Sequence, residues 1–144
     1  MEMKTVLITG ASSGIGMALA KELAMRGYHL ILMARRLDLM QGWTQFIQTQ
    51  HPDCQITVIA SDVANHEQHM TDVAQAIEKA QGLDLVIANA GVGFNTNEWT
   101  NTWEGTKKIF DVNLLGAIAT IETAKDFFLK QGHGHIVGIT SMAS

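Results

Sequence analysis

The stretch that decides the fold of this chain is Thr9-Gly10-Ala11-Ser12-Ser13-Gly14-Ile15-Gly16. It follows a short β-branched run, Lys4–Thr9, and opens a helix-period stretch, Ile15–Arg26, which Gly27 is placed to end in a left-handed conformation. The first N–H groups of a helix have no partner within the helix, and together with the helix dipole they attract an anion. The stretch therefore predicts a strand, a phosphate-binding turn and a helix, in that order.

The glycines of this turn have separate roles in a dinucleotide site. Gly10 permits the tight turn, Gly14 leaves room for a pyrophosphate, and Gly16 lets the helix pack closely. Ser12 and Ser13 add hydroxyl donors. A glycine-rich structural turn is the alternative, but the strand before it and the helix after it favour nucleotide binding.

Outward from this turn, the chain alternates short apolar runs with helical stretches. The further predicted strands are His29–Met33, Gln55–Ala60, Leu83–Ala88 and His135–Thr140. The further predicted helices are Leu37–Gln50, one that starts after Asn65 and ends at Gly82, and Trp103–Lys130. Successive βα units predict an α/β fold, a Rossmann-like doubly wound parallel sheet with strand order 3-2-1-4-5. We expect a single domain over residues 1–144, truncated after the fifth strand, with its ligand site between strands one and four.

Local details of the helices are also predicted. Asn65 is typical of an N-cap, and Gln68 stands in the capping-box position. The long helix is expected to bend near Asn113 or Gly116. The inner stripes of the first three helices are predicted as Ile15, Ala18, Leu19 and Leu23; Met40, Trp43, Phe46 and Ile47; and Met70, Val73, Ala74 and Ile77.

Composition bounds the class of protein. Hydrophobic residues make up 47% of the 144 and charged residues 17%, which is typical of a globular domain with a substantial core. The net charge of -4 argues against nucleic acid as a partner, and no apolar run is long enough to cross a bilayer. Cys54 is the only cysteine and the first strand begins close to the N-terminus, so we expect no signal peptide and a cytoplasmic location.

Two pairs of histidines are spaced closely along the chain, His66 with His69 and His133 with His135. Both pairs lack the further ligands of a metal site, so we expect surface histidines and no metal.

The glycine turn resembles the cofactor loop of the single-domain short-chain dehydrogenases/reductases, and four further matches extend that resemblance along the chain. They are Asp62-Val63 after the third strand, Asn89-Ala90-Gly91 after the fourth, Asn113 in the long helix and Ser141 after the fifth strand. By themselves these residues are also consistent with ordinary loop, turn and helix-bend positions. The resemblance implies that the cofactor lies against Gly10, Ser12, Ser13, Gly14, Ile15, Gly16, Asp62, Val63, Asn89, Ala90 and Gly91.

The same resemblance implies a role for each match. Asp62 and Val63 would lie beside the adenine, and the triplet that begins at Asn89 would lie beside a cofactor ribose. Asn113 would hold a water of the proton relay with its backbone, and Ser141 would hydrogen-bond the substrate carbonyl or hydroxyl, so these are the implied catalytic residues. The Asn89 side chain carries the amide and carbonyl needed to tie neighbouring strand ends together.

The residues after the second strand bear on the choice of nicotinamide cofactor. An acidic residue there would accept from the adenosine ribose hydroxyls and repel a 2′-phosphate. This chain has Ala34-Arg35-Arg36 instead, and a guanidinium binds phosphate with charge assistance. Arg35 matches the phosphate-binding arginine of the family, which favours NADP(H) over NAD(H), although Asp38 is close and both arginines are also consistent with solvent-facing positions.

In the family, a tyrosine and a lysine one helical turn later supply the proton, on a helix after the fifth strand. The only tyrosine here is Tyr28, which precedes the second strand, so we expect residues 1–144 to be inactive as they stand and interpret them as part of a longer enzyme. The implied parent activity is hydride transfer between NADP(H) and a small carbonyl or alcohol substrate. The helix Trp103–Lys130 resembles one that packs on a partner subunit, which implies a homodimer or homotetramer. A nucleotide-binding Rossmann module without catalysis is the alternative.

Overall fold

A computed structural model describes residues 3–93 and 102–141 and contains a sheet of five parallel strands. The strands are β1 Thr5–Thr9, β2 His29–Ala34, β3 Ile56–Ala60, β4 Leu85–Ala88 and β5 His135–Gly138. Their order in the sheet is β3-β2-β1-β4-β5, so the predicted order and the predicted Rossmann-like α/β fold are confirmed. The order reverses between β1 and β4, where Val6, Leu7 and Ile8 align with Leu85, Val86 and Ile87.

The helices connect the strands and cover both faces of this sheet. They are α1 Gly14–Met25, α2 Leu37–Gln50, α3 His66–Ala80, α4 Trp103–Ile109 and α5 Ala117–Gln131. Between α4 and α5 the backbone forms one π-helical stretch, Phe110–Gly116, called the π segment below. The predicted long helix is therefore continuous, and the bend expected near Asn113 or Gly116 takes the form of widened turns that contain both residues.

Two apolar cores cover the two faces of the sheet. On one face, Val6 and Ile8 of β1 pack with Ala20 of α1 and Met40 of α2. On the other face, Leu7 of β1 packs with side chains of α3 and α5, among them Val73, Ile77 and Phe128. Successive side chains of a strand point to opposite faces, so a strand buried on both faces requires the unbroken apolar runs seen in the sequence.

Strand β5 lies at one edge of the sheet. It pairs with β4, and across residues 3–93 and 102–141 no strand pairs with its outer edge. Its side chains are mostly exposed, Ile136 among them at 38%. The buried part of the sheet is therefore centred on β1, β2 and β4.

Several predicted local details are wrong. Helix α1 buries Gly16, Ala20 and Ala24, while Ile15 is 61% exposed, because small residues let this helix approach the sheet closely. Strand β4 begins at Leu85 rather than Leu83. Phe46 of α2 is also exposed, and β5 ends at Gly138 rather than Thr140; both predictions relied on local patterns that tertiary contacts override.

The predicted capping box of α3 is also absent. Asn65 is the N-cap residue, but its side chain makes no capping hydrogen bond, and Gln68 donates to the Asp72 carboxylate instead. The turn before the helix is closed by Asp62, whose Oδ1 accepts from the Ala64 N–H at 2.9 Å. The Asp62 carbonyl oxygen also accepts from the Asn65 N–H at 3.0 Å, and this is the backbone group that Gln68 would bond in a capping box.

Candidate nucleotide-binding site

The glycine turn after β1 packs directly on the loop after β4. Gly10 has φ +67, and a Cβ there would lie 2.7 Å from the Ala90 Cα. A Cβ at Gly16 would lie 2.3 Å from the Gly10 carbonyl oxygen and 2.5 Å from Asn89 Nδ2. Gly16 thus allows the first turn of α1 to pack closely, as predicted, against the glycine turn and the Asn89 side chain.

Gly14 has the opposite surroundings. Its φ is +56, and a Cβ there would meet no protein atom within 4 Å. Packing inside the protein therefore does not explain this glycine, whereas its left-handed φ does, and the absent side chain leaves the approach to the start of α1 open. Ser13 occupies the N-cap position without a side-chain capping bond, and the first turn of α1 contains no acidic residue. A helix start in this state attracts an anion through its free N–H groups.

Asn89 ties the ends of β1 and β4 together, as predicted. Its Nδ2 donates to the carbonyl oxygens of Thr9 and Gly10 at 3.1 and 3.3 Å. The Thr9 hydroxyl oxygen in turn accepts from the N–H groups of Asn89 and Ala90, both at 3.1 Å. These reciprocal bonds hold the two loops at the point where the strand order reverses.

A cavity of ≈ 320 Å³ lies at this point, and we call it the nucleotide cavity. The loops after β1, β2, β3 and β4 all contribute to its wall. Of the predicted cofactor-binding residues, Gly16 alone is not in the wall; the others are Gly10, Ser12, Ser13, Gly14, Ile15, Arg35, Asp62, Val63, Asn89, Ala90 and Gly91. Parallel α/β sheets bind ligands at the carboxyl ends of their strands beside such a reversal, so the location agrees with the predicted one.

Arg35 and Arg36 form the wall of the nucleotide cavity after β2. Both are exposed, and within the part of the chain that the structure describes neither forms an ion pair. Asp38 lies in the first turn of α2 and does not line the cavity. The cavity wall after β2 is therefore basic.

Val63 connects the wall after β3 to the π segment. It is buried, and a Cβ at Gly116 would lie 2.9 Å from the Val63 Cβ. Asp62 is exposed beside it and closes the turn before α3. The absence of a side chain at Gly116 thus sets how closely the π segment approaches this wall.

The two predicted catalytic residues lie outside the nucleotide cavity. Asn113 is on the π segment, where its Oδ1 accepts from the Val92 N–H at 2.7 Å and its Nδ2 donates to the Val92 carbonyl oxygen at 2.8 Å. Its neighbour Val112 lines the cavity. Ser141 follows β5, beyond Ile139, whose N–H donates to the Ala88 carbonyl oxygen. Their implied roles stay predictions.

The prediction of surface histidines is wrong for His69, which is fully buried on α3. Its Nδ1 lies 2.8 Å from the Ser61 Oγ and its Nε2 lies 2.8 Å from the Thr120 Oγ1. Burial lowers the pKa of His69, while the nearby carboxylates of Asp72 and Asp62 oppose this effect and His66 adds to it. The signal was present in the sequence, because His69 stands four residues before Val73 on the buried stripe of α3.

The neighbouring His66 bonds to the π segment. Its Nε2 lies 2.9 Å from the Asp111 carbonyl oxygen, and since a carbonyl only accepts, that nitrogen carries the hydrogen. Over residues 3–93 and 102–141, no group of three or more His, Cys, Asp or Glu side chains is placed to hold a metal ion.

A second groove, of ≈ 770 Å³, lies at the amino ends of the strands, and Lys4, Tyr28, His51 and Cys54 are among its lining residues. It is larger than the nucleotide cavity, but none of the predicted site residues lines it. We therefore place the candidate site in the smaller cavity, where four strand-end loops converge.

Comparison with known proteins decides the family. The sequence profile of the short chain dehydrogenases matches residues 4–144. The chain belongs to the short-chain dehydrogenase family. An uncharacterized oxidoreductase of Mycobacterium tuberculosis is 37% identical over 137 residues, which are 95% of this chain and 54% of the relative. One of Myxococcus xanthus is 36% identical over 143 residues, 99% of this chain and 56% of the relative. The chain thus spans about half the length of these relatives.

Solved structures of short-chain dehydrogenases have the same architecture. A bulky-bulky ketone specific alcohol dehydrogenase from Comamonas testosteroni has a TM-score of 0.87 at 26% identity, over 99% of this chain and 56% of that one. An alcohol dehydrogenase from the archaeon Thermococcus sibiricus, in complex with 5-hydroxy-NADP, has a TM-score of 0.84 at 32% identity, over 94% of this chain and 57% of that one.

Helices long and apolar enough to span a membrane do not occur among the residues that the structure describes.

Proposed function

We propose that this chain is the dinucleotide-binding part of an oxidoreductase that transfers a hydride between NADP(H) and a small carbonyl or alcohol substrate. The observation that carries the proposal is the nucleotide cavity, where an open helix start, a basic wall after β2 and a small-residue wall after β4 meet. These three surfaces match the pyrophosphate, the phosphorylated ribose and the nicotinamide ribose of one extended ligand.

The pyrophosphate would lie at the start of α1. Gly14 leaves this approach open, and Ser12 and Ser13 in the cavity wall carry hydroxyl donors. The N–H groups of the first helical turn and the positive end of the helix dipole would stabilise the phosphate charge.

NADP(H) is favoured over NAD(H) by the wall after β2. Arg35 and Arg36 present guanidinium groups to the cavity where an NAD-binding site usually has a carboxylate. Both arginines are exposed, so their charge is available to a 2′-phosphate. The Thermococcus sibiricus enzyme in complex with 5-hydroxy-NADP and the related structure of ElxO with NADP bound agree with this preference.

The remaining predicted residues would orient the two ends of the cofactor. Asp62 and Val63 would contact the adenine, and the loop from Asn89 would lie beside a cofactor ribose. The bound nicotinamide would supply or accept the hydride. Ser141 would donate a hydrogen bond to the substrate oxygen, and Asn113, whose side chain clamps Val92, would hold a relay water with its backbone.

The proton donor is not provided by residues 1–144. Tyr28, the only tyrosine, lines the groove at the amino ends of the strands, on the edge opposite the nucleotide cavity. We therefore expect these 144 residues alone to bind cofactor without turnover, and the longer protein that contains them to be active.

The exposed apolar side chains of α4, the π segment and α5 favour an oligomer. Trp103 is 73% exposed, Phe110 54%, Leu114 48% and Ile118 46%. A run of exposed apolar residues of this kind is typical of an interface. We propose that a second copy of the protein packs on it, in a homodimer or homotetramer.

Calorimetric titration of the folded protein with NADP and with NAD tests the proposed function. We expect binding of both, with the smaller Kd for NADP. No heat with either dinucleotide would contradict the proposal, and equal Kd values would contradict the NADP preference. Binding by the full-length protein without turnover of any simple carbonyl would instead indicate a non-catalytic Rossmann module.

A further inference from the structure

A chain of buried hydrogen bonds runs from the nucleotide cavity to helix α5 through His69. Ser61, in the cavity wall after β3, lies 2.8 Å from His69 Nδ1 and donates to Asp72 Oδ2 at 2.7 Å. On the other side of the ring, His69 Nε2 lies 2.8 Å from the Thr120 hydroxyl, which donates to the Gly116 carbonyl oxygen at 2.8 Å. We call these linked groups the histidine chain.

The direction of each bond follows from the available hydrogens. The Gly116 carbonyl only accepts, so the single hydrogen of Thr120 goes to it, and Thr120 then accepts from His69 Nε2–H. Burial favours the neutral imidazole, because it lowers the pKa of His69. In that state Nδ1 is an acceptor, so the one hydrogen of Ser61 is shared between Nδ1 at 2.8 Å and the Asp72 carboxylate at 2.7 Å, as a three-centre bond.

Each end of the histidine chain belongs to a structure that shapes the nucleotide cavity. Ser61 precedes Asp62 and Val63 in the wall after β3. Gly116 ends the π segment, contacts Val63 and lies on the same segment as Asn113, which clamps the loop after β4. His69 is therefore the link between the wall at the adenine side and the helical segment that holds the opposite wall.

We propose that His69 is a positioning residue of the nucleotide cavity: by bonding to both Ser61 and Thr120, it holds the Ser61–Val63 wall against the π segment in the geometry that receives the cofactor. This inference rests on the proposed function for its ligand. Without the histidine chain, the cofactor has to order the wall when it binds. The free energy of that ordering is then subtracted from the binding free energy, so the Kd rises.

Substitutions at Thr120 test the proposal with little change of shape. Thr120→Val removes the hydroxyl that accepts from His69, whereas Thr120→Ser keeps it. We expect Thr120→Val to raise the Kd for NADP about three- to tenfold, the effect of one lost hydrogen bond, and Thr120→Ser to stay within about twofold of wild type. Equal weakening by both variants would overturn the proposal, because Thr120→Ser keeps the hydroxyl and the bond to His69 would then not account for the loss.

Thr44 supplies a matched control. It is a buried threonine on α2 whose hydroxyl donates to the Met40 carbonyl oxygen four residues earlier, as Thr120 does to Gly116, but it has no histidine partner. Thr44→Val should destabilise the fold similarly and leave the Kd for NADP within about twofold. If it raises this Kd as much as Thr120→Val does, general loss of stability accounts for both and the proposal fails.

A double-mutant cycle shows whether Thr120 acts through His69. In a His69→Leu background, Thr120→Val should cause no further rise in the Kd for NADP, because the bond it removes is already absent. A further rise by the same factor as in wild type would overturn the assignment to His69.

Hydrogen exchange of the cofactor-free protein separates this inference from the proposed function. The N–H groups of Ser61, Ala64 and Asn65 are bonded within or next to the wall after β3, and we expect them to exchange faster in Thr120→Val but not in Thr44→Val. If wild type binds neither NADP nor NAD, the proposed function fails while this exchange pattern still supports the positioning role. Unchanged exchange in Thr120→Val would overturn the positioning role whatever the cofactor result.

Discussion

At the scale of single residues, Gly16 has no room for a side chain. A Cβ there would lie 2.3 Å from the Gly10 carbonyl oxygen, closer than Cβ atoms come to other atoms in proteins. We predict that Gly16→Ala destabilises the fold by about 1–3 kcal/mol, because the turn must move to admit the methyl group. Gly42 on α2 has nothing within 4 Å, so Gly42→Ala should stabilise the protein by up to about 1 kcal/mol through helix propensity. Urea denaturation measures both, and equal effects would contradict the close packing of the turn.

Arg35 is the residue on which the cofactor preference depends. Replacing it with aspartate removes a cation from the cavity wall and introduces a charge that repels a 2′-phosphate. We predict that Arg35→Asp raises the Kd for NADP about ten- to a hundredfold and changes the Kd for NAD much less, since a charge-assisted bond contributes about 1.5–3 kcal/mol. Arg26→Asp is the control, because Arg26 pairs with Glu22 on α1 and does not line the cavity. A parallel rise of both Kd values would refute the assignment.

Buried His69 also predicts a dependence of stability on pH. Because burial lowers its pKa in the folded state, the unfolded chain binds more protons than the folded one as the pH falls below about 6.5. Stability should therefore decrease on acidification through this window, by at most about 1.4 kcal/mol per pH unit for this one group. Denaturant titrations between pH 5 and 7 measure how the free energy of unfolding changes with pH. His69→Gln should reduce this slope by the part that His69 contributes. Burial lowers the pKa of His29 as well, so His29→Gln should remove a separate share. An unchanged slope in His69→Gln would contradict the prediction.

At the scale of elements, the π segment connects most of the groups discussed above. The Asp111 carbonyl oxygen accepts directly from His66 of α3. The Gly116 carbonyl oxygen accepts from Thr120, which in turn bonds to His69 of α3. Asn113 of the π segment holds the loop after β4. Insertions of π-helix within α-helices are frequent at functional sites, and here the wider turns direct one asparagine towards a loop of the nucleotide cavity.

Asn113 makes the contribution of the π segment measurable. We predict that Asn113→Ala destabilises the protein by about 1 kcal/mol, because both of its bonds to Val92 are lost at an exposed position. The Val92 amide should also exchange faster with solvent. Asn65→Ala is the matched control: this asparagine is also exposed and makes no capping bond, so we expect a change of less than about 0.5 kcal/mol. Similar losses in the two variants would show that the clamp contributes nothing.

At the scale of the whole molecule, the apolar surface of α4, the π segment and α5 predicts self-association. Leu114→Glu would bury a charge in the proposed interface, which costs several kcal/mol unless the charge is paired. We predict that it raises the dimer dissociation constant at least about tenfold, as measured by analytical ultracentrifugation of the full-length protein. Phe46→Glu is the control, because Phe46 is 64% exposed on α2, away from this surface. A monomeric wild type, or equal effects of the two variants, would contradict the proposal.

The order of the strands and the place of the site could be read from residues close together in the chain. The glycine turn required a strand before it and a helix after it, and the repeated alternation then determined a parallel doubly wound sheet. The errors concern the ends of strands, the cap of α3 and the side chains that a helix buries. His69 was placed at the surface and Ile15 in the core, because periodicity locates a stripe but does not reveal which residues the neighbouring helix or turn will contact.

The sequence by itself determined the local chemistry: a turn without side chains at Gly10 and Gly14, two arginines after β2, and an asparagine suited to tie strand ends. Tertiary structure alone decided how these parts meet, because Asn89 reaches Thr9 across 80 positions of the chain and His69 reaches Thr120 across 51. The physical reason is that hydrogen bonds and close packing act over a few ångströms in space, whereas a sequence pattern reports only neighbours along the chain.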